Sequence, residues 1–203
     1  MLDMVNAGRP RSVEIDRRIL DATLDLLIAH GYDGLRADAV AAAAGVPKST
    51  IYRRWPSLAV LAVAAVERAV GHPEFTPTED PRADLRTLID ILHATVLDTE
   101  LGTVLPRLGT DIAAHPEAAE TYRRQIIEPL RGAAIDAVRR GLTAGLWSAD
   151  GERDGGAWAE RAVNMIIGGA LYEIAYLGRR PTGRDTRAAA AQLLRAPLGE
   201  PQA

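Results

Sequence analysis

Six residues able to hold phosphate or read base-pair edges fall within seven positions: Lys48, Ser49, Thr50, Tyr52, Arg53 and Arg54. An ammonium or a guanidinium can donate to guanine or to phosphate, and a hydroxyl can bond either. Spacing decides whether they act together. Ile51 and Trp55 are four apart and predict an inward apolar side for a short helix, which turns Lys48, Ser49, Tyr52 and Arg53 outward. Pro47 opens that helix, where its missing N–H costs nothing. Alone, such a face is ordinary solvated charge; the residues before it give it meaning.

Two helices are expected upstream. Ser12 is a suitable N-cap, Glu14 and Asp16 favour the positive helix end, and Ile15, Ile19, Ala22 and Leu26 recur at helical spacing up to His30-Gly31. Asp38 to Ala44 predicts a second helix anchored by Val40 and broken by Gly45, with Val46 buried behind it. Three helices, the last two joined by a tight turn, make a helix-turn-helix whose last helix fits the major groove of B-form DNA. Ahead of them Gly8-Arg9-Pro10-Arg11 alternates arginine with residues that resist helix. Residues 1–12 are therefore expected to be a flexible basic arm, with Arg9 and Arg11 able to reach phosphates or a narrow minor groove.

The net charge is −3, but residues 1–57 carry eight basic and seven acidic side chains against sixteen and twenty in the remainder. A local basic face on an acidic chain fits a sequence-selective binder better than a general polyanion coat. Apolar residues make up 47 %, aromatics only 4 %, and Ala and Leu abound without alternating β-branched runs, so an all-α fold is expected. There is no cysteine, and the four histidines, at 30, 72, 93 and 115, stand apart. Nucleophile-elbow, paired-histidine and phosphate-loop motifs are missing. No catalysis, metal or cofactor is expected. The apolar runs are too short to span a bilayer and the N-terminus has no apolar leader, which points to a cytoplasmic protein, nucleoid-associated when on DNA.

Residues 13–62 resemble the N-terminal domain of TetR-family transcriptional regulators. The resemblance runs through Ile19-Leu20-Asp21-Ala22, Gly31-Tyr32-Asp33, Val40-Ala41, Ala44-Gly45-Val46, Ser49 through Ser57, and Leu61. It implies a homodimer on an inverted-repeat operator in double-stranded DNA, with a variable C-terminal helical bundle that binds a small effector and, in a repressor, releases DNA. An activator and an effector-independent DNA-binding protein are the alternatives. Two positions depart from the family pattern. A capping, phosphate-touching threonine is replaced by Arg36, which can reach phosphate but cannot cap, leaving the helix-end charge to Asp38. A phosphate-binding lysine at the fourth helix is replaced by Leu58, which gives Arg53, Arg54, Arg9 and Arg11 more to do. The expected organisation is a basic arm over 1–12, a helix-turn-helix domain over 13–57, an effector-binding and dimerisation domain over 58–196 and a disordered tail over 197–203.

In the second half, Arg82 to Thr99 is amphipathic, Leu101-Gly102 interrupts it, and Val104 to Ala114 is a short helix. Glu117 to Ala144 is a long helix kinked by Pro129, and Thr186 to Leu194 is the last. Ala157 to Leu177 is too apolar to leave a face in water, and Gly168-Gly169 lets another helix approach. The resemblance pairs these last two helices with a second subunit, which gives Ile167, Gly168, Gly169, Leu171, Ile174 and Leu193 as dimer-interface candidates. Effector-site candidates are His93, Tyr122, Trp158, Met165 and Tyr172, on helices that would surround a bundle cavity. Few acids accompany them, which predicts a neutral or hydrophobic effector.

Overall fold

A computed structural model describes residues 9–149 and 155–198, with side chains from Val13 onward. The regular elements among the described residues are all helical: α1 (Arg9–His30), α2 (Ala37–Ala44), α3 (Lys48–Tyr52), α4 (Leu58–Val70), α5 (Pro81–Leu92), α6 (Leu101–Asp111), α7 (Pro116–Tyr122), α8 (Glu128–Thr143), α9 (Gly155–Leu177) and α10 (Gly183–Leu194). They group into two compact units. The first comprises the chain up to Ala69 together with Arg107–Tyr122; the second comprises Val70–Pro106 and Arg123–Ala203. The first unit thus extends past the boundary expected at residue 57 and takes in α4.

In the first unit, α1 begins at Arg9, not at the Ser12 cap, because Pro10 falls in the first helical turn, where proline is tolerated. The expected arm is therefore helical at residues 9–12, while residues 1–8 lie outside the described residues. Gly31, at φ +67°, closes α1 by donating its N–H to Leu27 O at 2.9 Å. Ile19, Leu27, Leu35, Val40, Ile51, Leu61 and Val66 fill the core, joined by Leu108 and Ile112 from the returning segment. Thr23 is buried among them and donates its hydroxyl to Ile19 O at 2.7 Å, which removes the cost of an unpaired polar group.

In the second unit, α5, α8, α9 and α10 share an apolar core that includes Leu85, Leu88, Ile135, Val138, Val163 and Leu194. Gly102 does not interrupt a helix: α6 runs through it, and its missing side chain makes room for Ile174, whose Cδ1 would lie 3.1 Å from a Cβ there. The kink expected at Pro129 is spread into a wide π-type turn over Arg123–Ile127, with Pro129 in the first turn of α8. A similar turn, His93–Leu97, follows α5. Gly141 is buried in α8 because Trp147 lies flat on it and donates its indole N–H to Val138 O at 2.8 Å. The α10 helix starts three residues earlier than expected, at Gly183, behind a capping box between Thr182 and Asp185. Leu198 is buried and its carbonyl accepts from Arg86, so the expected disordered tail does not begin at Pro197; residues 199–203 lie outside the described residues.

One carboxylate holds the entry loop of this unit. Asp84 is buried in the first turn of α5 and accepts from Thr78 N at 3.0 Å, from Thr78 Oγ1 at 2.7 Å and from the Arg140 guanidinium at 2.5 Å. Burial alone would raise its pKa; the Arg140 and Thr78 donors outweigh that and hold it below the usual carboxylate value. The stability it contributes is therefore complete above the unfolded carboxyl value, about 4, and is lost as pH falls through the lower folded value. Asp84→Ala should cost about 2–3 kcal/mol, read as a lower urea midpoint at neutral pH, and the difference from the parent should shrink as both are titrated toward acid.

Candidate nucleic-acid interface

The α2–turn–α3 segment is built on backbone geometry. Gly45 ends α2 in the left-handed region at φ +63°, and the Gly45 and Val46 N–H groups donate back to Ala42 O and Ala41 O. The Arg18 guanidinium on α1 closes the same helix end by donating to Ala44 O. Sequence spacing gives Arg18 no such role; its partner is a main-chain carbonyl 26 residues away. A Cβ at Gly45 would strain the left-handed backbone and lie 2.7 Å from that guanidinium, pushing it aside.

Pro47 is the N-cap of α3, not its first residue, and α3 is only five residues long. Ile51 is its sole buried side chain. Trp55 lies beyond the helix and is half-buried, tied to it by a 2.9 Å bond from its N–H to Ile51 O. Ser57 caps the following helix, accepting from Val60 N at 3.2 Å.

The candidate DNA-contacting residues separate into groups. Ser49, Tyr52 and Arg53 are exposed on α3 and its C-terminal end, Thr50 is half-buried, and Tyr52 retains 43 % exposure. Lys48 is exposed, and its Nζ donates to Asp38 Oδ2 at 3.0 Å. That pairing, through the hydrogen bond first and charge second, raises the lysine above its ordinary value and keeps it cationic. Arg54 does not point outward with the rest: it is mostly buried, ion-paired with Asp16 of α1 and bonded to Thr50 O at 3.3 Å. Arg36 is exposed but spends its guanidinium on Asp33 O at 2.6 Å and Leu35 O at 2.9 Å, shaping the loop into α2. No side chain caps α2; Asp38 sits in its first turn, as the dipole argument requires. The side chains of Arg9 and Arg11 lie outside the described residues.

A second polar group in this unit was not anticipated. Tyr32 and His115 meet edge to face, with Tyr32 Oη 3.4 Å from His115 Nε2. Burial, then the nearby Asp111 charge, raises the Tyr32 phenol, and burial followed by the Asp33 charge raises Asp111.

This geometry meets the comparisons with known proteins. Residues 19–65 match the family described as bacterial regulatory proteins, tetR family, and residues 75–193 match the tetracyclin repressor-like C-terminal domain. The chain belongs to the TetR family. It is a DNA-binding, helix-turn-helix transcription regulator of a family that is not enzymatic. An uncharacterised HTH-type transcriptional regulator of Mycobacterium tuberculosis is 33 % identical over 120 residues, which span 59 % of this chain and 56 % of that protein. The match thus reaches little more than half the length of this curated relative. A DNA-binding transcriptional repressor TetR of Mycobacteroides abscessus is 33 % identical over 132 residues, 62 % of this chain and 65 % of that one. The crystal structure of a TetR-family regulator from Mesorhizobium loti shares the fold at 19 % identity, with a TM-score of 0.63 over 92 % of this chain and 96 % of that chain.

Among the described residues of the TetR-type C-terminal domain, two concavities lie within the second unit. A small, partly open cleft of about 20 Å³ is lined wholly by apolar side chains of α5, α8 and α9, among them Leu88, Leu92, Leu130, Val163 and Ile167. An open groove of about 600 Å³ runs between α9 and α10. Trp158 and Met165 line that groove, beside Glu173, Asp185 and Arg195. His93, Tyr122 and Tyr172 line neither. His93 is buried with Nδ1 3.0 Å from Asp98 Oδ1 and Nε2 2.9 Å from Thr186 Oγ1. Tyr122 belongs to the first unit, packed on Gly109, and burial raises its phenol. Tyr172 is exposed and stacks on Tyr176 at 5.2 Å.

Arg53→Ala should weaken DNA binding and lower the salt slope by about 1, measured as log affinity against log salt. Arg54→Ala should act instead on the fold, lowering the unfolding midpoint by the equivalent of about 1–2 kcal/mol. Gly45→Ala should do the same through its backbone and the displaced Arg18, with a loss of about 1–2 kcal/mol in denaturant melts.

Proposed function

We propose that this regulator is a cytoplasmic homodimeric repressor, held on an inverted-repeat operator and released by a small neutral or hydrophobic effector. The observation that carries the operator reading is the division of labour on α3: Ile51 is buried, while Lys48, Ser49, Tyr52 and Arg53 are exposed around it. Two such helices related by a two-fold axis read half-sites about one or more helical turns apart, which is why the operator is expected to be palindromic. The Mycobacteroides abscessus relative carries the name of a repressor. Operator position relative to the promoter separates this reading from activation.

The α9 surface supports the dimer. Met165, Gly168, Gly169, Tyr172 and Tyr176 recur along one exposed face, with Met165 at 61 % and Tyr176 at 77 % exposure. Among the described residues, apart from the backbone of α9 itself, nothing lies within 4 Å of a Cβ built on Gly168 or Gly169. A contiguous apolar face of this kind is costly in water and is covered when a second copy presents the same face. Leu171 and Leu193 are half-buried beside it and Ile167 turns toward α5 and α8, whereas Ile174 is buried within its own chain against Gly102 and leaves the interface set. Met165, Tyr172 and Tyr176 take its place.

The effector reading is supported by the small apolar cleft between α5, α8 and α9. Its lining offers no charge and no hydrogen-bond donor, so only an apolar body gains by entering. At about 20 Å³ it holds less than a small molecule, and an effector has to displace its walls. The wide turns His93–Leu97 and Arg123–Ile127 adjoin α5 and α8, two of the three lining helices, and mark where these can shift. His93 then acts as a fixed post under α10, not as an effector ligand.

Selection of bound duplexes from a random pool should return an inverted repeat; a single asymmetric half-site would overturn the dimeric reading. Gly169→Leu, which has room within its own chain, should keep the helical content of the parent and convert dimer to monomer in sedimentation. Apolar probes such as long-chain alcohols should release the selected duplex, and charged analogues of equal size should not.

A further inference from the structure

Lys48 is the only lysine of the chain; the other basic side chains counted among its 24 Lys and Arg are all arginine. It stands at the first position of α3, and its ammonium is held at 3.0 Å by Asp38, in the first turn of α2. Both partners face solvent, with side-chain exposures of 47 % and 80 %. The pair therefore bridges the two helices of the helix-turn-helix on the side where Ser49 and Tyr52 are also exposed.

We propose that Asp38 is a specificity-determining residue, which withholds Lys48 from the DNA backbone and releases its donors only to a base edge with hydrogen-bond acceptors, such as guanine O6 and N7. The proposal rests on the reading that α3 enters the major groove. The physical reason is a comparison of partners. A phosphate oxygen is an anionic acceptor much like the carboxylate that Lys48 already has, so the exchange gains little. Lys48, its charge already matched by Asp38, therefore brings a phosphate no uncompensated cation. The pair thus adds almost nothing to counterion release, the sequence-independent part of binding. A guanine edge is different. Its acceptors are neutral, and an ammonium has three N–H donors, so Lys48 can keep Asp38 and donate to the base at once. A guanidinium at this position would lock onto the carboxylate as a fork, with less freedom to turn toward a base. Asp38 thereby acts through Lys48: it contacts no base itself.

The test uses the full chain with a duplex selected from a random pool and a scrambled duplex of equal length, each titrated over about 50–200 mM salt. The variants are Lys48→Ala, the isosteric Asp38→Asn, the double variant, and Arg53→Ala as a phosphate-contact reference. On the scrambled duplex, Lys48→Ala should leave affinity and salt slope unchanged, while Asp38→Asn should tighten binding several-fold and steepen the slope by about 1. On the selected duplex, Lys48→Ala should lose about tenfold. The ratio of selected to scrambled affinity should fall about tenfold in Asp38→Asn, and the double variant should match Lys48→Ala. The proposal is overturned if Lys48→Ala flattens the slope on scrambled DNA as Arg53→Ala does, for then Lys48 is an ordinary phosphate contact. It is equally overturned if the double variant keeps the tighter scrambled binding, for then Asp38 repels DNA on its own. If Arg53→Ala changes neither slope, the placement of α3 in the groove fails, and the proposal fails with it by a distinguishable route.

Discussion

A helix of five residues cannot hold itself together in water, because nucleation costs more than one turn of hydrogen bonds returns. Yet α3 is that short, and everything presented to DNA depends on its staying in place. Its stability is borrowed from neighbours. Ile51 goes into the core, the Trp55 N–H extends the ladder three residues past the helix end, and the Arg54–Asp16 ion pair fastens the following turn to α1. Arg18 fixes the other side of the turn through Ala44 O. With the helix held from outside, its own side chains are left for recognition.

The acidic residues follow a related logic. Asp16, Asp84 and Asp185 each organise backbone or arginine within one unit, one bracing the last turn of the helix-turn-helix, one an entry loop and one the start of α10. Asp38 differs in lying open to solvent at the edge of the reading face. A net charge of −3 therefore coexists with DNA binding because most carboxylates are spent on structure or lie in the remainder of the chain, and those near α3 pair with particular cations. Salt sensitivity in such a protein is set by the few exposed cations without an internal anion, and net charge is a poor guide to it.

Helix positions and the helix-turn-helix were legible in the sequence because they rest on local signals: apolar spacing in α1, glycine at 31 and 45, and serine before α4. What escaped was set by partners far along the chain. Arg54 and Arg53 are adjacent and chemically identical, and only the position of Asp16 sends one inward. Gly102 looked like a breaker because its neighbour Ile174 is 72 residues away. Ile174 looked like an interface residue for the same reason, and Leu198 like a loose tail until the core around Arg86 is seen. His93 looked like an effector-site residue because nothing local shows that Asp98 and Thr186 would satisfy both ring nitrogens. Periodicity locates faces; it does not say which of two equivalent groups on a face has company.

The first unit is discontinuous in sequence, and this has a consequence for how the chain acquires its activity. Leu108, Ile112, Ala118 and Tyr122 are buried parts of the same unit as the helix-turn-helix, although all of them lie well beyond the end of α4 at Val70. During synthesis, α1 to α4 emerge first but lack part of their core until residue 122 has cleared the ribosome, several seconds later at about 5–20 residues per second. The nascent helix-turn-helix is consequently less ordered than the finished one, and a fragment ending after α4 inherits that deficit permanently. The capacity to bind DNA thus matures late in translation, when much of the regulatory half has already been made.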